Sequence, residues 1–245
     1  MEKQWAIDTQ DGHKIHGLLN TSGKKNNKAI LIVHGLTGHP REYHHNCAAF
    51  DFPKHGYDVI RPWLYCGEEK ARKLIDCTLA IHAQDVATVA QYFANQYDAL
   101  YGVGHSYGAP SLILSETSPF KALCLWDPTV DPSETLSRNP YVEPYHDYYL
   151  LRWEPDILTG KAMYEDTKAI TLDVTKVAAK KCTAPTRVIL AADGMYAKRG
   201  DSYDHYINAE CDRKIIPGTD HCFYEEGTTE PLLNYTREWF DKFQP

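Results

Sequence analysis

Five consecutive apolar residues, Ala29-Ile30-Leu31-Ile32-Val33, constrain this chain more than any other feature. A run with no polar alternation is the mark of a strand covered on both faces, as parallel strands are when helices pack above and below them. A second such run, Val188 to Ala192, lies far along the chain. Both are strand-sized and well short of the roughly 20 residues needed to cross a bilayer, so no membrane span is expected. Shorter strand-like segments at Tyr57 to Ile60, Ala99 to Val103, Ala122 to Trp126 and Lys214 to Ile216 alternate with helix-like stretches near residues 42–54, 81–95, 107–117 and 231–243. In the second of these stretches Val86, Val89, Ala90 and Phe93 share one face. Such alternation predicts an α/β fold, a mostly parallel sheet with crossover helices. Before it, Trp5 to Thr9 and Lys14 to Thr21 flank Asp11-Gly12 and predict an antiparallel hairpin at the sheet edge. Between Asp127 and Pro185 the alternation lapses into a stretch rich in Pro and Tyr, with one helix expected near Leu172 to Lys180. We read residues 128–184 as a small lid inserted into a single domain spanning residues 1–245.

Bulk properties exclude several functions. A formal net charge of -7, with only short basic pairs such as Lys24-Lys25 and Lys180-Lys181, offers no electrostatic footprint for nucleic acid. Seven cysteines, odd in number and without a CxxC pair, suit reduced thiols better than a disulfide framework. Met1-Glu2-Lys3-Gln4 leads into polar sequence with no apolar segment behind it, so a cytoplasmic location is expected. The expected partner is a small-molecule substrate, and the oligomeric state is not encoded in any motif.

The chemistry concentrates after the segment Ala99 to Val103, in Gly104-His105-Ser106-Tyr107-Gly108. Glycines flanking a serine at a strand-to-helix turn let backbone segments approach closely while the hydroxyl stands clear. Random order would give roughly 0.03 such motifs in a chain of this composition. Pro110 is tolerated in the first helical turn, where little hydrogen bonding is lost. Ser106 is therefore the expected nucleophile, and a serine at its ordinary acidity needs a base and an orienting carboxylate.

His221, in Gly218-Thr219-Asp220-His221-Cys222-Phe223, follows the last strand and precedes the final helix, where the base belongs. Asp193 follows Val188 to Ala192 and is the favoured acid; Asp127, which ends Leu123 to Trp126, is the alternative, with Asp201 and Asp204 more remote. Attack on an acyl carbon also requires preorganised N–H donors, for which the Tyr107 and Leu36 amides are the candidates, with the Thr37 hydroxyl beside them. His39, His44, His45 and Cys47 cluster in sequence but match no closed zinc spacing, so surface and pocket-rim roles are expected and no metal or other cofactor. Tyr141, Tyr145, Tyr148, Tyr149, Trp153 and Tyr164 line an acyl or aromatic pocket in one reading and pack the lid in the other.

Together, His34-Gly35-Leu36-Thr37-Gly38, Gly104 to Gly108, Asp193 and Gly218 to Phe223 resemble the α/β-hydrolase superfamily over nearly the whole chain. The segment Gly218 to Phe223 and its separation from Asp193 are similar to those of bacterial cinnamoyl and feruloyl esterases. The resemblance implies an eight-stranded, mostly parallel sheet, a Ser-Asp-His triad, no cofactor and hydrolysis of carboxylic esters. Two segments depart from the family pattern. Arg61 to Gly67 lacks the usual Asp and Gly-rich turn, and Ala191-Ala192-Asp193-Gly194 lacks the usual leading glycine. The stretch His34 to Arg61 is also loosely similar to acyl-carrier-protein thioesterases, which leaves thioester hydrolysis or acyl transfer as the alternative. A catalytically silent binding module on the same fold is the alternative of another class.

Overall fold

A computed structural model describes residues 1–115, 119–137, 147–152 and 156–245. The hairpin expected from Asp11-Gly12 is formed by β1 (Glu2–Asp8) and β2 (Lys14–Asn20). The apolar run forms β3 (Lys28–Val33), followed by α1 (Tyr43–Asp51), β4 (Tyr57–Trp63), α2 (Leu79–Ala94), β5 (Ala99–His105), α3 (Gly108–Leu114) and β6 (Leu123–Trp126). Next come α4 (Pro132–Ser137), the hairpin β7 (Tyr148–Arg152) and β8 (Asp156–Gly160), α5 (Lys161–Ala169) and α6 (Leu172–Lys181). The chain closes with β9 (Thr186–Ala191), β10 (Cys211–Ile216) and α7 (Thr229–Asp241).

Eight strands form one sheet in the order β1-β2-β4-β3-β5-β6-β9-β10. The pairs β1–β2 and β2–β4 are antiparallel, and all others in this sheet are parallel. This is the eight-stranded, mostly parallel arrangement that the resemblance implied.

The uninterrupted apolar runs are explained by two separate cores. Along β3, Ala29, Leu31 and Val33 enter one core with Val86, Val89 and Phe93 of α2 and Leu112 of α3. Ile30 and Ile32 enter the other, with Ala48 and Ala49 of α1 and Leu232, Trp239 and Phe240 of α7. The pleat sends successive side chains to opposite faces, so a strand with helices on both sides must be apolar at every position.

The order of the strands also locates a crevice. After β3 the chain steps outward to β4, then returns to lay β5 on the other side of β3 and continues to β6, β9 and β10. Connections leaving β3 and β5 therefore diverge, and ligands bind at the carboxyl ends of strands at such a switch point. Ser106 directly follows β5 and His34 directly follows β3.

Candidate active site

Ser106 is held where few side chains are tolerated. Its φ is 53°, in the left-handed region, and both flanking glycines sit against backbone. A Cβ on Gly108 would fall 2.1 Å from the Val33 carbonyl oxygen, and one on Gly104 would fall 2.7 Å from Ala109 Cα. The turn is so tight because α3 starts two residues after Ser106 and packs back over β3 and β5. The Ser106 amide donates to the Trp126 carbonyl at 3.1 Å, and the Ser106 carbonyl accepts from Thr129 at 3.2 Å, which ties the turn to the loop after β6.

That loop supplies the carboxylate. Asp127 Oδ2 lies 2.6 Å from His221 Nδ1, and Oδ1 accepts the Ala191 amide at 3.1 Å. The Asp127 side chain is fully buried, while that of His221 is 32% exposed. Asp127 itself has φ 37°, and its own amide donates to the Ile189 carbonyl at 2.7 Å. The backbone is bent out of the strand so that the carboxylate continues the β6–β9 ladder and turns its free oxygen toward the histidine.

The expectation that Asp193 orients His221 is corrected by this geometry. Asp193 is exposed, and its contribution to the site is backbone: its amide donates to the Thr219 carbonyl at 3.0 Å, anchoring the loop that carries His221. The physical reason is the turn after β9, where a Cβ on Gly194 would sit 3.1 Å from Asp127 Oδ2. Gly194 leaves the space that the Asp127 carboxylate uses, and the Asp193 side chain turns to solvent. Asp201 accepts from Tyr206 Oη at 2.5 Å and Asp204 lies 3.6 Å from Arg213, so neither serves His221.

The His221 loop is braced from several directions. Glu225 accepts from the Thr219 hydroxyl at 2.6 Å and from the Asp220 amide at 3.3 Å, and Asp220 accepts from the Cys222 amide at 3.0 Å. The His221 carbonyl accepts from His105 Nε2 at 2.9 Å, and the His221 ring lies 5.4 Å from that of Tyr196. Tyr196 is in turn fixed by a 2.7 Å hydrogen bond between its hydroxyl and that of Thr129.

Across the crevice, a Cβ on Gly35 would meet Ser106 Cβ at 3.0 Å and Oγ at 3.4 Å, so the loop after β3 runs directly beside Ser106. The amides of Leu36 and Tyr107 have no backbone or side-chain acceptor among the described residues, as donors held for an oxyanion would not. The loop is pinned by residues that carry no motif of their own. The Leu64 amide donates to His34 Nε2 at 3.1 Å, so His34 carries its proton on Nδ1 and donates it to the Gly35 carbonyl at 2.8 Å. Burial lowers the His34 pKa to about 4, keeping the ring neutral in that tautomer. Tyr65 donates to the Gly38 carbonyl at 3.0 Å. Arg61 reaches the Pro40 carbonyl at 2.5 Å and Asn20 at 2.8 Å, filling with a clasp the stretch that departs from the family pattern.

Leu36 and Tyr107 also belong to a small core with Leu151, Met163 and Ile170, which come from the segment between β6 and β9. Tyr149 stacks on Tyr164 with centroids 3.7 Å apart. Tyr141, Tyr145 and Trp153 lie outside the described residues. His44 and His45, expected at the surface or pocket rim, are instead fully buried on the inner face of α1.

No helix among the described residues is long and apolar enough to cross a membrane, and all seven cysteines are free thiols. No curated protein sequence matches the chain. Among solved structures, Est1E from Butyrivibrio proteoclasticus with ferulic acid bound is similar at 20% identity and TM-score 0.81, with 98% of each chain covered. The esterase domain of a Rhodothermus marinus protein is similar at 13% identity and TM-score 0.74, with 99% of each chain covered. Dienelactone hydrolase from Anabaena variabilis aligns at 13% identity and TM-score 0.69, over 100% of this chain and 99% of that one. At these identities the likeness is one of fold. Residues 30–241 match the Alpha/beta hydrolase family, and with most of its length so matched the chain belongs to that family.

Proposed function

We propose that the protein is a serine hydrolase of carboxylic esters, working through Ser106, His221 and Asp127 with an acyl-enzyme intermediate. The observation that carries this reading is the buried Asp127 carboxylate 2.6 Å from His221 Nδ1. A carboxylate accepts only, so Nδ1 bears the proton and Nε2 is left with the lone pair that takes a proton from a serine hydroxyl. A buried acid also stabilises the imidazolium that forms in the transition state more strongly than one in water.

In this reading Ser106 Oγ attacks the ester carbonyl carbon and passes its proton to His221 Nε2. The Leu36 and Tyr107 amides hold the oxyanion, each such donor contributing about 3 to 4 kcal/mol. His221 then protonates the departing alcohol, leaving Ser106 acylated. Water attacks the acyl-enzyme, gives its proton to His221 and releases the acid. Residues 128–184 act as the lid, which places Leu151, Met163 and Ile170 in one core with Leu36 and Tyr107 and stacks Tyr149 on Tyr164. The ferulic acid bound to Est1E favours an aromatic acyl group among substrates to try first.

The test is turnover of a nitrophenyl ester panel, beside acyl thioesters, by the purified chain and by Ser106→Ala. Ester turnover in the parent, labelling of Ser106 by a fluorophosphonate, and loss of both in the variant are expected. Undiminished turnover in Ser106→Ala overturns the reading.

A further inference from the structure

Behind the strand end that carries Ser106 lies a group of side chains that the ester chemistry does not use. Glu42 ends the loop before α1, His44 and His45 open that helix, and His105 is the last residue of β5. One ligand-capable atom from each of the four lies within 4.8 Å of all the others. The rings are in contact, with centroids 4.1 Å apart for His44 and His45 and 4.4 Å for His44 and His105. His44 and His45 have no exposed surface and His105 is 3% exposed.

The hydrogen bonding of this group is incomplete in a particular way. His105 Nε2 lies 2.9 Å from the His221 carbonyl, and His45 Nδ1 lies 3.3 Å from the His39 carbonyl. A carbonyl accepts only, so both nitrogens carry protons, and in neutral rings the opposite nitrogens carry bare lone pairs. Those opposite atoms, His105 Nδ1 and His45 Nε2, are buried with no hydrogen-bond partner among the described residues; His44 faces the Cys222 backbone, and Glu42 Oε2 lies 3.3 Å from His45 Nδ1. A Glu42 carboxyl proton serves one of these lone pairs at most, and buried acceptors left over are rare in folded proteins.

We propose that Glu42, His44, His45 and His105 form a buried site for one divalent transition-metal ion of the zinc class. Three imidazoles and a carboxylate are a closed tetrahedral set for Zn²⁺. Imidazole nitrogen also suits Co²⁺, Ni²⁺ and Cu²⁺. Bonds of about 2.0–2.2 Å require ligand atoms roughly 3.3 Å apart, so the four side chains draw inward on binding. The two N–H groups donated to carbonyls are the outer contacts that fix the tautomer of ligating histidines. The ion has no part in acyl transfer; it ties α1 to the end of β5 and, through His105, to the carbonyl of His221. The sequence alone does not present this set, because His105 arrives from β5, 60 residues after His45.

The full chain, stripped with dipicolinate and shown by circular dichroism to remain folded, is titrated with Zn²⁺ against a chromophoric chelator. One ion per chain is expected, with at least tenfold weaker binding in Glu42→Gln and in His45→Phe and no change in His205→Ala, which alters an exposed histidine. X-ray absorption of the Zn²⁺-loaded parent, which does not depend on any variant folding, is expected to show three imidazoles and one carboxylate. A folded parent that takes up no stoichiometric Zn²⁺, variants that bind as tightly as the parent, or a coordination shell with cysteine sulfur or fewer than three imidazoles overturns the proposal.

Discussion

Asp127 and Asp193 occupy equivalent places on neighbouring strands of the sheet, each just beyond the carboxyl end of a buried apolar strand, yet they end in opposite environments. Asp127 is buried, has a positive φ and divides its two oxygens between the Ala191 amide and His221. Asp193 is exposed and engages the His221 loop through its backbone amide. A strand end thus creates an opportunity for a catalytic acid. What decides which strand takes it is the neighbour: Gly194, following Asp193, leaves a space of one side chain, and the Asp127 carboxylate fills it. One aspartate meets His221 through its carboxylate, and the other holds the His221 loop through its backbone amide.

The sharpest way to break this comparison is Asp127→Asn. An amide fits the same space and keeps an oxygen for the Ala191 amide, but its NH₂ group facing Nδ1 reverses the His221 tautomer and removes the lone pair from Nε2. A loss of about 10⁴-fold in kcat is expected with little change in unfolding temperature. Steady-state kinetics beside a thermal melt check this, and a loss below tenfold would return the acid to another residue.

Asp127→Ala separates the structural share of this residue from its chemical share. The Ala191 amide then lies buried without its acceptor, which costs about 1–3 kcal/mol of stability. Denaturant unfolding of Asp127→Ala and Asp127→Asn side by side measures it, the alanine variant being expected to be the less stable.

These effects show which parts of the molecule are readable before folding. The parallel sheet was legible because a strand apolar at every position has no other comfortable place, and β3, β5, β6 and β9 all appear where such segments stand. The places of Ser106 and His221 in the fold were legible because their constraints are local: flanking glycines at a strand-to-helix turn for one, a loop between the last strand and helix for the other. The carboxylate that meets His221 was not. Both aspartates satisfy the same local pattern, and the partners that separate them lie 64 and 94 residues from Asp127 in the chain. The helix α5 and the hairpin β7–β8 were missed because they are weakly patterned: α5 buries only Met163 and Thr167, one turn apart, and offers no broad apolar stripe. The burial of His44 and His45 was hidden for the same reason as the Asp127–His221 contact, since that face of α1 is covered by Trp126 and His105 from β6 and β5.

Gly194→Ala sharpens the comparison at intermediate strength. The added methyl would stand 3.1 Å from both Asp127 Oδ2 and the Ala191 carbonyl, tighter than ordinary contact, while the backbone dihedrals at 194 impose no strain of their own. The carboxylate must shift by a few tenths of an ångström, which lengthens its bond to His221. About a tenfold fall in kcat, or roughly 1.4 kcal/mol in the barrier, is expected with KM nearly unchanged. An equal fall in a variant already carrying Asp127→Asn would show that Gly194 acts by another route.

Asp193→Asn is expected to do the least. Its side chain stands in solvent, and the contact it makes with the His221 loop runs from its amide nitrogen to the Thr219 carbonyl at 3.0 Å, which the substitution keeps. Lys198 donates to the Asp193 carbonyl at 3.0 Å, again a backbone atom that asparagine retains. Only the charge is removed, at an exposed position where water screens it from His221. A change in kcat/KM within about twofold and in stability within about 0.5 kcal/mol follows, since surface substitutions away from special contacts rarely do more. Proline at the same position removes the amide proton and releases the loop, so Asp193→Pro should be far more damaging than Asp193→Asn. That inversion, a severe backbone effect beside a negligible side-chain effect, separates a residue that positions a loop from one that donates a catalytic carboxylate.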